Sequence, residues 1–550
     1  MPLRVLLIEP PPNPNWMLYP HTPWVGVWMP NTGLLRVATQ IHHAGHEVQV
    51  AEVWARRLST ADLRAWIERF KPHVVGSTAT TATLISAMSF MKFAKRIDPS
   101  IATVLGGVHV TLSPAECLAG CPETDYLVLG EGELTIVELL QRIEQKWDRQ
   151  QMRSVRGLGF MQGNEFVKTE NRPLIENLDD LPMPKHDLLS AGSRQYRFPN
   201  VGPLLLRSPA WGVEYTRGCE FDCRFCVKPP LWRRTLRYRS EKQVVEELVL
   251  LNRKYGVKSG QLFSNDVFAR RERLEELVIE MEKQKPKYAF VTFGRADTVL
   301  KCTDLLKRLV KCGMVMLWLG LESLEQKILD RIAKGTTVDL NRKVMAAAEE
   351  AQVPVIGPFF IVGFPEHSLE TMRGMREEAL ALGPRFSPGL PAFSPTPGTA
   401  MYFEVARRGL IETFDYSEWD VGGAVCRTET MSRKEVDRES RKLGMSAVFR
   451  PSFFIEQLKN PYLHGKLQAL LGFAIIFNML AKKVSRLRVA VRRLVNRLLG
   501  RTDELEVLFD QARVATEAYA RRRAEAAMAG ALTPADADGC IPQPPQEPCA

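Results

Sequence analysis

Short apolar runs alternate with amphipathic helical patterns through the first 150 residues of the chain. The apolar runs predict strands at Arg4 to Glu9, Glu47 to Glu52, His73 to Ser77, Thr103 to Gly107 and Tyr126 to Gly130. The segments between them predict helices near Thr32 to His43, Ala61 to Phe70 and Leu84 to Ile97. Strands that alternate with helices pair in parallel, so the pattern predicts a doubly wound α/β sheet.

Glycine and hydroxyl side chains gather where three of these strands end. The segments are Gly76 to Thr81, Gly106 to His109 and Gly130 to Glu133. Such residues let the backbone approach a large ligand closely and form hydrogen bonds with its edge. Ligands of doubly wound sheets bind beyond the carboxyl ends of the strands, which is where these segments lie. Any nucleotide-binding or regulatory domain of this fold could carry them, so they do not identify the ligand.

Three cysteines stand at CxxxCxxC spacing in the stretch Gly218 to Cys226, namely Cys219, Cys223 and Cys226. Three thiolates can hold a four-iron cluster and leave one iron open for a substrate or cofactor. A structural zinc site is an alternative, but it would need a fourth Cys or His. The thiols could also be buried small hydrophobes, an alternative that Arg217 and Arg224 disfavour.

The remaining cysteines do not complete a metal site. All seven are distant in sequence: Cys117, Cys121, Cys302, Cys312, Cys426, Cys540 and Cys549. Their irregular spacing fits a reducing cytoplasm better than a disulfide scaffold. The N-terminus reads as a first strand and has no signal-peptide pattern, so we expect a cytoplasmic protein.

A net charge of +11 raises the question of nucleic acid binding. Eight Lys or Arg and no acidic residue lie between Lys482 and Arg501, so most of the excess is local and no nucleic-acid partner is expected. This basic segment could contact an anionic membrane surface, or it could be a solvated helix packed on the barrel. The apolar run Leu467 to Ala481 has 15 residues and is too short and too polar to span a bilayer comfortably.

The sequence Tyr-Thr-Arg-Gly-Cys at Tyr215 to Cys219, followed by the two further cysteines, resembles the cluster loop of the radical S-adenosylmethionine (SAM) superfamily. The resemblance implies a [4Fe-4S] cluster on the three cysteines, with SAM on its open iron. About six βα units from Trp211 to Ile361 fit the partial (βα)6 barrel expected of that superfamily. The resemblance implies cofactor contacts at Phe225, Asp266, Arg295, Glu322, Ser323 and Pro365. Each could instead have a purely structural role at a strand end or helix start.

Upstream of such a loop, four segments together resemble the cobalamin-binding domain of B12-dependent radical SAM enzymes. They are Pro30 to Leu35, Ala44 to Val48, Gly106 to His109 and Gly130 to Glu133. The resemblance implies cobalamin contacts at Ser77, Thr78, Gly106, Gly107, His109, Gly130 and Glu131.

The Asp-x-His-x-x-Gly motif, which supplies a lower cobalt ligand in many B12 proteins, is missing after the first strand. We expect His42 to be a surface residue at a helix end. His109 could contact the corrin or its tail, or it could be satisfied within its own loop. Without a protein histidine, the lower face of cobalt would be open.

These resemblances imply a cobalamin-dependent radical SAM methyltransferase that uses methylcobalamin to methylate an unactivated centre of a small-molecule or natural-product substrate. Trp232 to Arg234 and Tyr238 to Ser240 are also similar to the anaerobic magnesium-protoporphyrin ester cyclases, so an oxidative cyclase or hydroxylase acting on a tetrapyrrole is the alternative. A non-enzymatic cobalamin or redox sensor is a third hypothesis. As electron donor, the enzyme hypothesis implies a partner such as flavodoxin or ferredoxin.

We predict five regions along the chain: 1–150 as the Rossmann-like cobalamin domain, 151–205 as a connector, 206–430 as the partial barrel, 431–505 as a C-terminal helical region, and 506–550 as a segment that passes from helix to a disordered tail. Disorder is expected beyond Thr516, where the composition becomes rich in Ala and Arg and then in Pro.

Overall fold

A computed structural model describes residues 2–11, 29–189, 209–386, 388–419, 423–448 and 503–530, together with Tyr196 and Ser452. The basic segment Lys482 to Arg501 and the Pro-rich tail lie outside these residues. So does an aromatic-rich segment after the first strand that could line an apolar substrate pocket or pack between domains, namely Trp16, Tyr19, Trp24 and Trp28. Among the described helices, none combines the length and the apolar character needed to cross a bilayer.

The first domain is built on a seven-stranded sheet whose order is β2-β1-β3-β4-β5-β6-β7. Its strands are β1 (Arg4–Glu9), β2 (Glu47–Glu52), β3 (Val74–Thr78), β4 (Ala102–Gly106), β5 (Tyr126–Val128), β6 (Leu158–Gln162) and β7 (Glu165–Lys168). Strands β1 to β5 pair in parallel, as predicted. The strand order reverses between β1 and β3, which places a ligand crevice at their carboxyl ends.

Helices cover both faces of this sheet. They are α1 (Thr32–His43), α2 (Val53–Arg56), α3 (Thr60–Phe70), α4 (Leu84–Ile97), α5 (Val108–Leu112), α6 (Pro114–Gly120), α7 (Gly132–Glu144) and α8 (Arg149–Met152). Successive side chains of β1 point to opposite faces, so Val5 and Leu7 pack with α1 and α7, whereas Leu6 and Ile8 pack with α3 and α4. Asn31 is the N-cap of α1, and its side chain accepts a hydrogen bond of 2.9 Å from the Leu34 amide.

The sheet extends beyond residue 150, where we expected a connector to begin. Strands β6 and β7 form an antiparallel hairpin with a two-residue loop at Gly163 and Asn164, and β6 pairs antiparallel with β5. Leu158 and Phe160 are fully buried in the core of the first domain, which explains why the hairpin joins the sheet. After the hairpin, the chain contacts both domains: the Lys185 amide donates to Thr39 Oγ1 at 3.0 Å, and Asp179 accepts from the Ser240 amide at 2.9 Å.

The second domain is a partial barrel. Its parallel sheet has the order β14-β13-β12-β11-β8. These strands are β8 (Val213–Glu214), β11 (Ser259–Phe263), β12 (Ala289–Arg295), β13 (Met314–Glu322) and β14 (Val355–Phe360), and a short antiparallel pair comprises β9 (Thr216–Gly218) and β10 (Leu236–Tyr238). Parallel bridges from β14 to Phe386 and Gly389, and from Val362 beyond β14 to Ala392, add a sixth segment. The predicted fold class, a Rossmann-like domain followed by a partial (βα)6 barrel, is confirmed.

The barrel helices follow its strands in sequence. They are α9 (Lys228–Trp232), α10 (Glu241–Tyr255), α11 (Arg271–Gln284), α12 (Ala296–Leu300), α13 (Thr303–Lys311), α14 (Gln326–Arg331), α15 (Val338–Glu350) and α16 (Leu369–Ala381). The C-terminal helices are α17 (Ala400–Arg407), α18 (Arg433–Val448) and α19 (Glu504–Met528).

The expectation of disorder beyond Thr516 is wrong as far as Met528, because α19 continues to that residue. Its buried face combines larger side chains, such as Leu508, Phe509 and Tyr519, with small residues that allow a close approach to α4 and α6: Ala512, Thr516, Ala520, Ala524 and Ala527. Gly120 lies where the helices approach most closely, since a Cβ at that position would overlap Thr516 Oγ1. The Ala-rich composition that suggested disorder therefore forms part of the packing surface of a helix that covers the first domain.

We predict that Gly120→Ala lowers the free energy of unfolding by about 1–3 kcal/mol, because the added methyl group overpacks the contact between α6 and α19. The Thr516→Ala variant removes the overlapping hydroxyl, so the double variant should recover most of the loss. Denaturant unfolding of the wild type, both single variants and the double variant measures this. An equal effect of Gly120→Ala with Thr516 present or absent would contradict the close contact.

Candidate active site

The loop with the three cysteines begins at the end of β9. Gly218 has a φ of 89°, and a Cβ there would overlap the carbonyl oxygen of Thr235, so this turn requires glycine. The Asn265 side chain donates a hydrogen bond of 2.6 Å to the Gly218 carbonyl and ties the loop to the end of β11. Sequence analysis did not single out Asn265.

The cysteines lie on one side of the barrel mouth with different exposures. Cys223 is buried, whereas Cys219 and Cys226 are half-buried. Among the described residues, no three Cys, His, Asp or Glu side chains are gathered closely enough to hold a metal ion. Three soft thiols within eight residues nevertheless suit an iron-sulfur cluster, because a short loop can reorient its thiols as the metal binds.

Positive charge lies next to Cys223. The Arg295 guanidinium is 3.8 Å from Cys223 Sγ, and it stacks on the Phe221 ring at 3.4 Å from the ring centroid. Burial raises the pKa of the Cys223 thiol, whereas the charges of Lys334 and Arg295 oppose that rise. These two cations would stabilise a thiolate, which is the form that binds iron.

Arg295, Glu322 and Lys334 form one buried network at the ends of β12 and β13. Arg295 donates to the Lys334 carbonyl at 2.6 Å, and Lys334 Nζ donates to Glu322 Oε1 at 2.7 Å. Glu322 has a φ of 64°, at an irregularity in the pairing of β13 with β14. A left-handed conformation of a non-glycine residue is unfavourable and is often found at functional sites. The structure thus brings these two predicted SAM contacts to the mouth of the barrel beside Cys223.

Asp266 lies after β11 and is also buried. Its Oδ1 accepts a hydrogen bond of 3.1 Å from the Phe268 amide, which matches the structural alternative of a turn-stabilising carboxylate. Burial raises the pKa of Asp266 to about 6, although hydrogen bonds from Thr298 and Phe268 favour the charged form.

The other predicted contacts of the barrel have mixed environments. Ser323 is buried and its Oγ accepts from the Glu325 amide at 3.1 Å. Pro365 is buried beyond β14, and its carbonyl accepts from the Glu429 amide at 2.8 Å. Phe225 is half-buried against a large apolar cluster that contains residues of both domains. The SAM roles of these residues stay predictions.

A cavity of about 260 Å³ lies between the first sheet and helices α1 and α7. Its floor is formed by apolar residues of the strands and helices: Val5, Leu7, Leu34, Val37, Val74, Val104, Val128 and Ile136. Six of the seven predicted cobalamin contacts line it, namely Ser77, Thr78, Gly106, Gly107, Gly130 and Glu131. Gly107 has a φ of 103°, and a Cβ there would be 2.6 Å from Thr78 Oγ1, so the loop depends on glycine. This narrow apolar slot suits a flat ring, such as the base of the cobalamin tail, better than the whole macrocycle.

The prediction that His109 contacts the cofactor needs correction, because His109 does not line the cavity. Its Nδ1 lies 3.0 Å from Thr81 Oγ1, and its Nε2 lies 3.8 Å from the Glu116 carboxylate on the opposite side of the sheet. Since α5 begins at Val108, Val108 faces the cavity and His109 points away from it. Burial, with a smaller contribution from Arg523, lowers the pKa of His109 to about 3, so the ring is neutral. His42 is exposed at the end of α1, as expected.

The cavity is closed on one side by the second domain. Glu214, Arg217, Leu231 and Trp232 line this wall. Glu131 lines the cavity too, but its carboxylate accepts hydrogen bonds from Arg217 at 2.9 Å and from the Ile175 amide at 2.6 Å. The predicted ligand contact Glu131 is thus also part of the domain interface.

We predict that Cys223→Ala abolishes iron and sulfide binding, because the remaining two thiols cannot hold a cluster, and leaves cobalamin binding within about twofold of the wild type, because Cys223 is outside the cavity. Iron, sulfide and cobalamin are measured on anaerobically reconstituted protein. The matched control is Cys312→Ala, which removes a half-buried thiol at the end of α13. It should change neither the iron and sulfide content nor the cobalamin content. Full iron content in Cys223→Ala would contradict the assignment.

We also predict that Asp266→Asn stabilises the cofactor-free protein at alkaline pH. The pKa of Asp266 is higher in the folded protein than in the unfolded chain, so its favourable contribution is complete below about pH 4 and is lost as the pH rises through about 6. The free energy of unfolding of Asp266→Asn, relative to that of the wild type, should therefore increase by about 1 kcal/mol between about pH 5 and pH 8. Denaturant unfolding at both pH values tests this, and a constant difference would show that Asp266 is not perturbed.

Two family models match the chain and together cover both domains. The B12 binding domain model matches residues 25–140, and the Radical SAM superfamily model matches residues 213–379. The first match contains most of the residues that line the cavity, and the second contains the three cysteines.

Two relatives in sequence support the same assignment. An uncharacterized methyltransferase of Pyrococcus horikoshii is 26% identical over 456 residues, which cover 83% of this chain and 95% of the relative. The anaerobic magnesium-protoporphyrin IX monomethyl ester cyclase of Cereibacter sphaeroides is 30% identical over 417 residues, which cover 74% of this chain and 65% of the relative.

A solved structure shows the same fold. The radical SAM methyltransferase TsrM of Kitasatospora setae, with cobalamin and a [4Fe-4S] cluster bound, aligns with a TM-score of 0.59 at 16% identity and covers 80% of this chain and 85% of its own. With a cobalamin-type cavity and a three-cysteine loop that meet at one interface, the chain belongs to the radical SAM enzymes that carry a B12-binding domain.

Proposed function

We propose that this radical SAM methyltransferase methylates an unactivated centre of a small, largely apolar substrate that binds between its two domains. Its cofactors are a [4Fe-4S] cluster, SAM and cobalamin. The observation that carries the proposal is the position of the cobalamin-type cavity, which is walled by Arg217, two residues before the first cluster cysteine.

When the cofactors are bound, one SAM supplies, through the reduced cluster, a radical that removes a hydrogen atom, and a second SAM supplies, through cobalamin, the methyl group that replaces it. The protein's part is to hold these groups and to exclude water. Cys219, Cys223 and Cys226 would hold the cluster. The network of Arg295, Glu322 and Lys334 offers both charges to the amino and carboxylate groups of SAM at the mouth of the barrel.

Aromatic side chains within the barrel support an apolar substrate. Trp318 stacks on Phe293 with ring centroids 6.4 Å apart. Phe359 packs edge-to-face with Trp318, with ring centroids 5.6 Å apart. Phe293 precedes Arg295 by two residues on β12, and Trp318 precedes Gly320 by two on β13, so these rings lie below the charged network. Such a layer would exclude water from a radical and pack against hydrocarbon.

Electrons have a route to the cluster from the surface. Cys219 and Cys226 are half-buried, and their loop neighbours Asp222 and Arg224 are exposed. An external one-electron carrier such as flavodoxin or ferredoxin fits this arrangement. The cluster thiols must stay reduced, which supports a cytoplasmic location.

The second candidate is an oxidative cyclase acting on a tetrapyrrole. The 30% identity to the magnesium-protoporphyrin cyclase over 417 residues favours it. Both candidates require radical formation and differ in the fate of the methyl group of SAM.

We predict that the anaerobically reduced holoenzyme converts SAM to 5'-deoxyadenosine, and that methyl-labelled SAM transfers its label to the substrate. Candidate apolar substrates and tetrapyrroles are supplied in parallel, and products are identified by mass. Label in a product supports the methyltransferase, whereas an oxygenated product without label supports the cyclase.

A reduced enzyme that forms no 5'-deoxyadenosine would contradict both candidates and support the sensor hypothesis. The Cys223→Ala variant, which should form none, is the control for nonenzymatic cleavage of SAM.

A further inference from the structure

Arg217 connects the two domains through hydrogen bonds to two carboxylates across the domain boundary. Its Nη1 donates to Glu131 Oε1 at 2.9 Å and its Nη2 to Glu133 Oε1 at 2.5 Å, and both carboxylates belong to the cobalamin domain. Within its own domain, its Nε donates to Glu214 Oε1 at 2.9 Å. One guanidinium therefore holds three carboxylates in a forked geometry that lysine cannot reproduce.

The contacts are buried and balanced in charge. The Arg217 side chain is 6% exposed, and those of Glu131 and Glu133 are 3% and 6% exposed. Arg36 completes the network through Glu214 at 3.3 Å, and Arg237 through Glu131 at 2.9 Å. Three arginines and three glutamates thus neutralise one another, and removal of one member leaves buried charge uncompensated.

The network joins the two segments that would carry the cofactors. Glu131 and Glu133 lie one and three residues after Gly130, where the loop that forms one edge of the cavity leads into the start of α7. Arg217 directly precedes Gly218, where the cluster loop starts. A shift of the guanidinium would therefore move the cavity edge relative to the cysteines.

We propose that Arg217 is a positioning residue that sets the distance between cobalamin and the iron-sulfur cluster by clamping the loop at Gly130 to Glu133 onto the start of the cluster loop. This inference rests on the proposed function, because it assigns the network to the two cofactors of that reaction. Arg217 acts through the two loops and takes no part in the bond-making steps.

The experiment compares Arg217→Met and Arg217→Lys with the wild type in two measurements that need no substrate. The first is the affinity for hydroxocobalamin, followed by absorbance. The second is the relaxation of the electron-spin signal of bound cob(II)alamin with the cluster reduced and oxidised. The magnetic coupling between the two centres falls with the cube of their distance, so it reports their separation directly.

We expect Arg217→Met to weaken cobalamin binding by about tenfold or more, since charge-assisted hydrogen bonds to two cavity residues are lost. The acceleration of cob(II)alamin relaxation by the reduced cluster should fall, while the iron content stays that of the wild type. Arg217→Lys keeps the positive charge but not the bidentate guanidinium geometry. Its cobalamin affinity and its magnetic coupling should lie between those of the wild type and those of Arg217→Met. Glu133→Gln should resemble Arg217→Lys, and its effect should be non-additive with Arg217→Met.

The matched control is Arg239→Met. Arg239 is as buried as Arg217 and follows the same strand pair, but its guanidinium donates to the Glu247 carboxylate of α10 at 2.6 Å and to the backbone carbonyl of Glu214 at 2.8 Å, both within the barrel domain. Its other polar contact is with Met183 Sδ at 3.7 Å, so it donates to neither Glu131 nor Glu133. The control should therefore lose stability without changing the magnetic coupling.

Unchanged cobalamin affinity and coupling in Arg217→Met would overturn the inference, as would an equal loss of coupling in Arg239→Met. Should Arg217→Met not fold, Arg217→Lys and Glu133→Gln decide the matter by the same two measurements. A wild-type protein that binds no cobalamin or no cluster would refute the proposed function itself, which distinguishes the two failures.

Discussion

A buried guanidinium with its three carboxylates connects the two halves of this enzyme. Arg217 is tied to Glu131 and Glu133 across the domain boundary, so the cobalamin-type cavity and the cluster loop share one wall. Buried ion pairs add little net stability, because desolvation offsets their attraction, but they strongly disfavour arrangements that leave a charge unpaired. The network therefore specifies how the domains fit together more than how tightly they hold.

Each domain brings a different kind of site to that boundary. The doubly wound sheet has glycine-rich turns after β4 and β5, and a narrow apolar slot lies beside them at the carboxyl ends of its strands. The partial barrel ends in charged side chains, with Arg295 beside Cys223 and aromatic rings below them. A cofactor with a flat apolar tail suits the first site, and a cluster with a zwitterionic ligand suits the second. Helix α19 covers the outer face of the cobalamin domain and keeps the His109 environment dry.

The parts that could be predicted from the sequence depend on local pattern. Strand β1, strand β2 and helix α1 have the predicted bounds, because apolar spacing and the Asn31 cap are local signals. The hairpin of β6 and β7 carried a weaker signal, a Gly-Asn turn between two short strands. Helix α19 was concealed by an Ala-rich composition that also suits disorder.

The sequence predicted which residue types lie at the site and that they follow strand ends, but not which way each side chain points. The glycine turns line the cavity as expected, but the direction of His109 depends on where α5 begins. The two partners of Arg217 across the domain boundary, Glu133 and Glu131, lie 84 and 86 residues away, so no sequence pattern could reveal them. Metal analysis of the anaerobically purified chain tests the central claim of a two-cofactor centre most directly. The account predicts about four iron, four sulfide and one cobalt per chain in the same sample. Zinc in place of iron, or a reconstituted chain without cobalt, would contradict it.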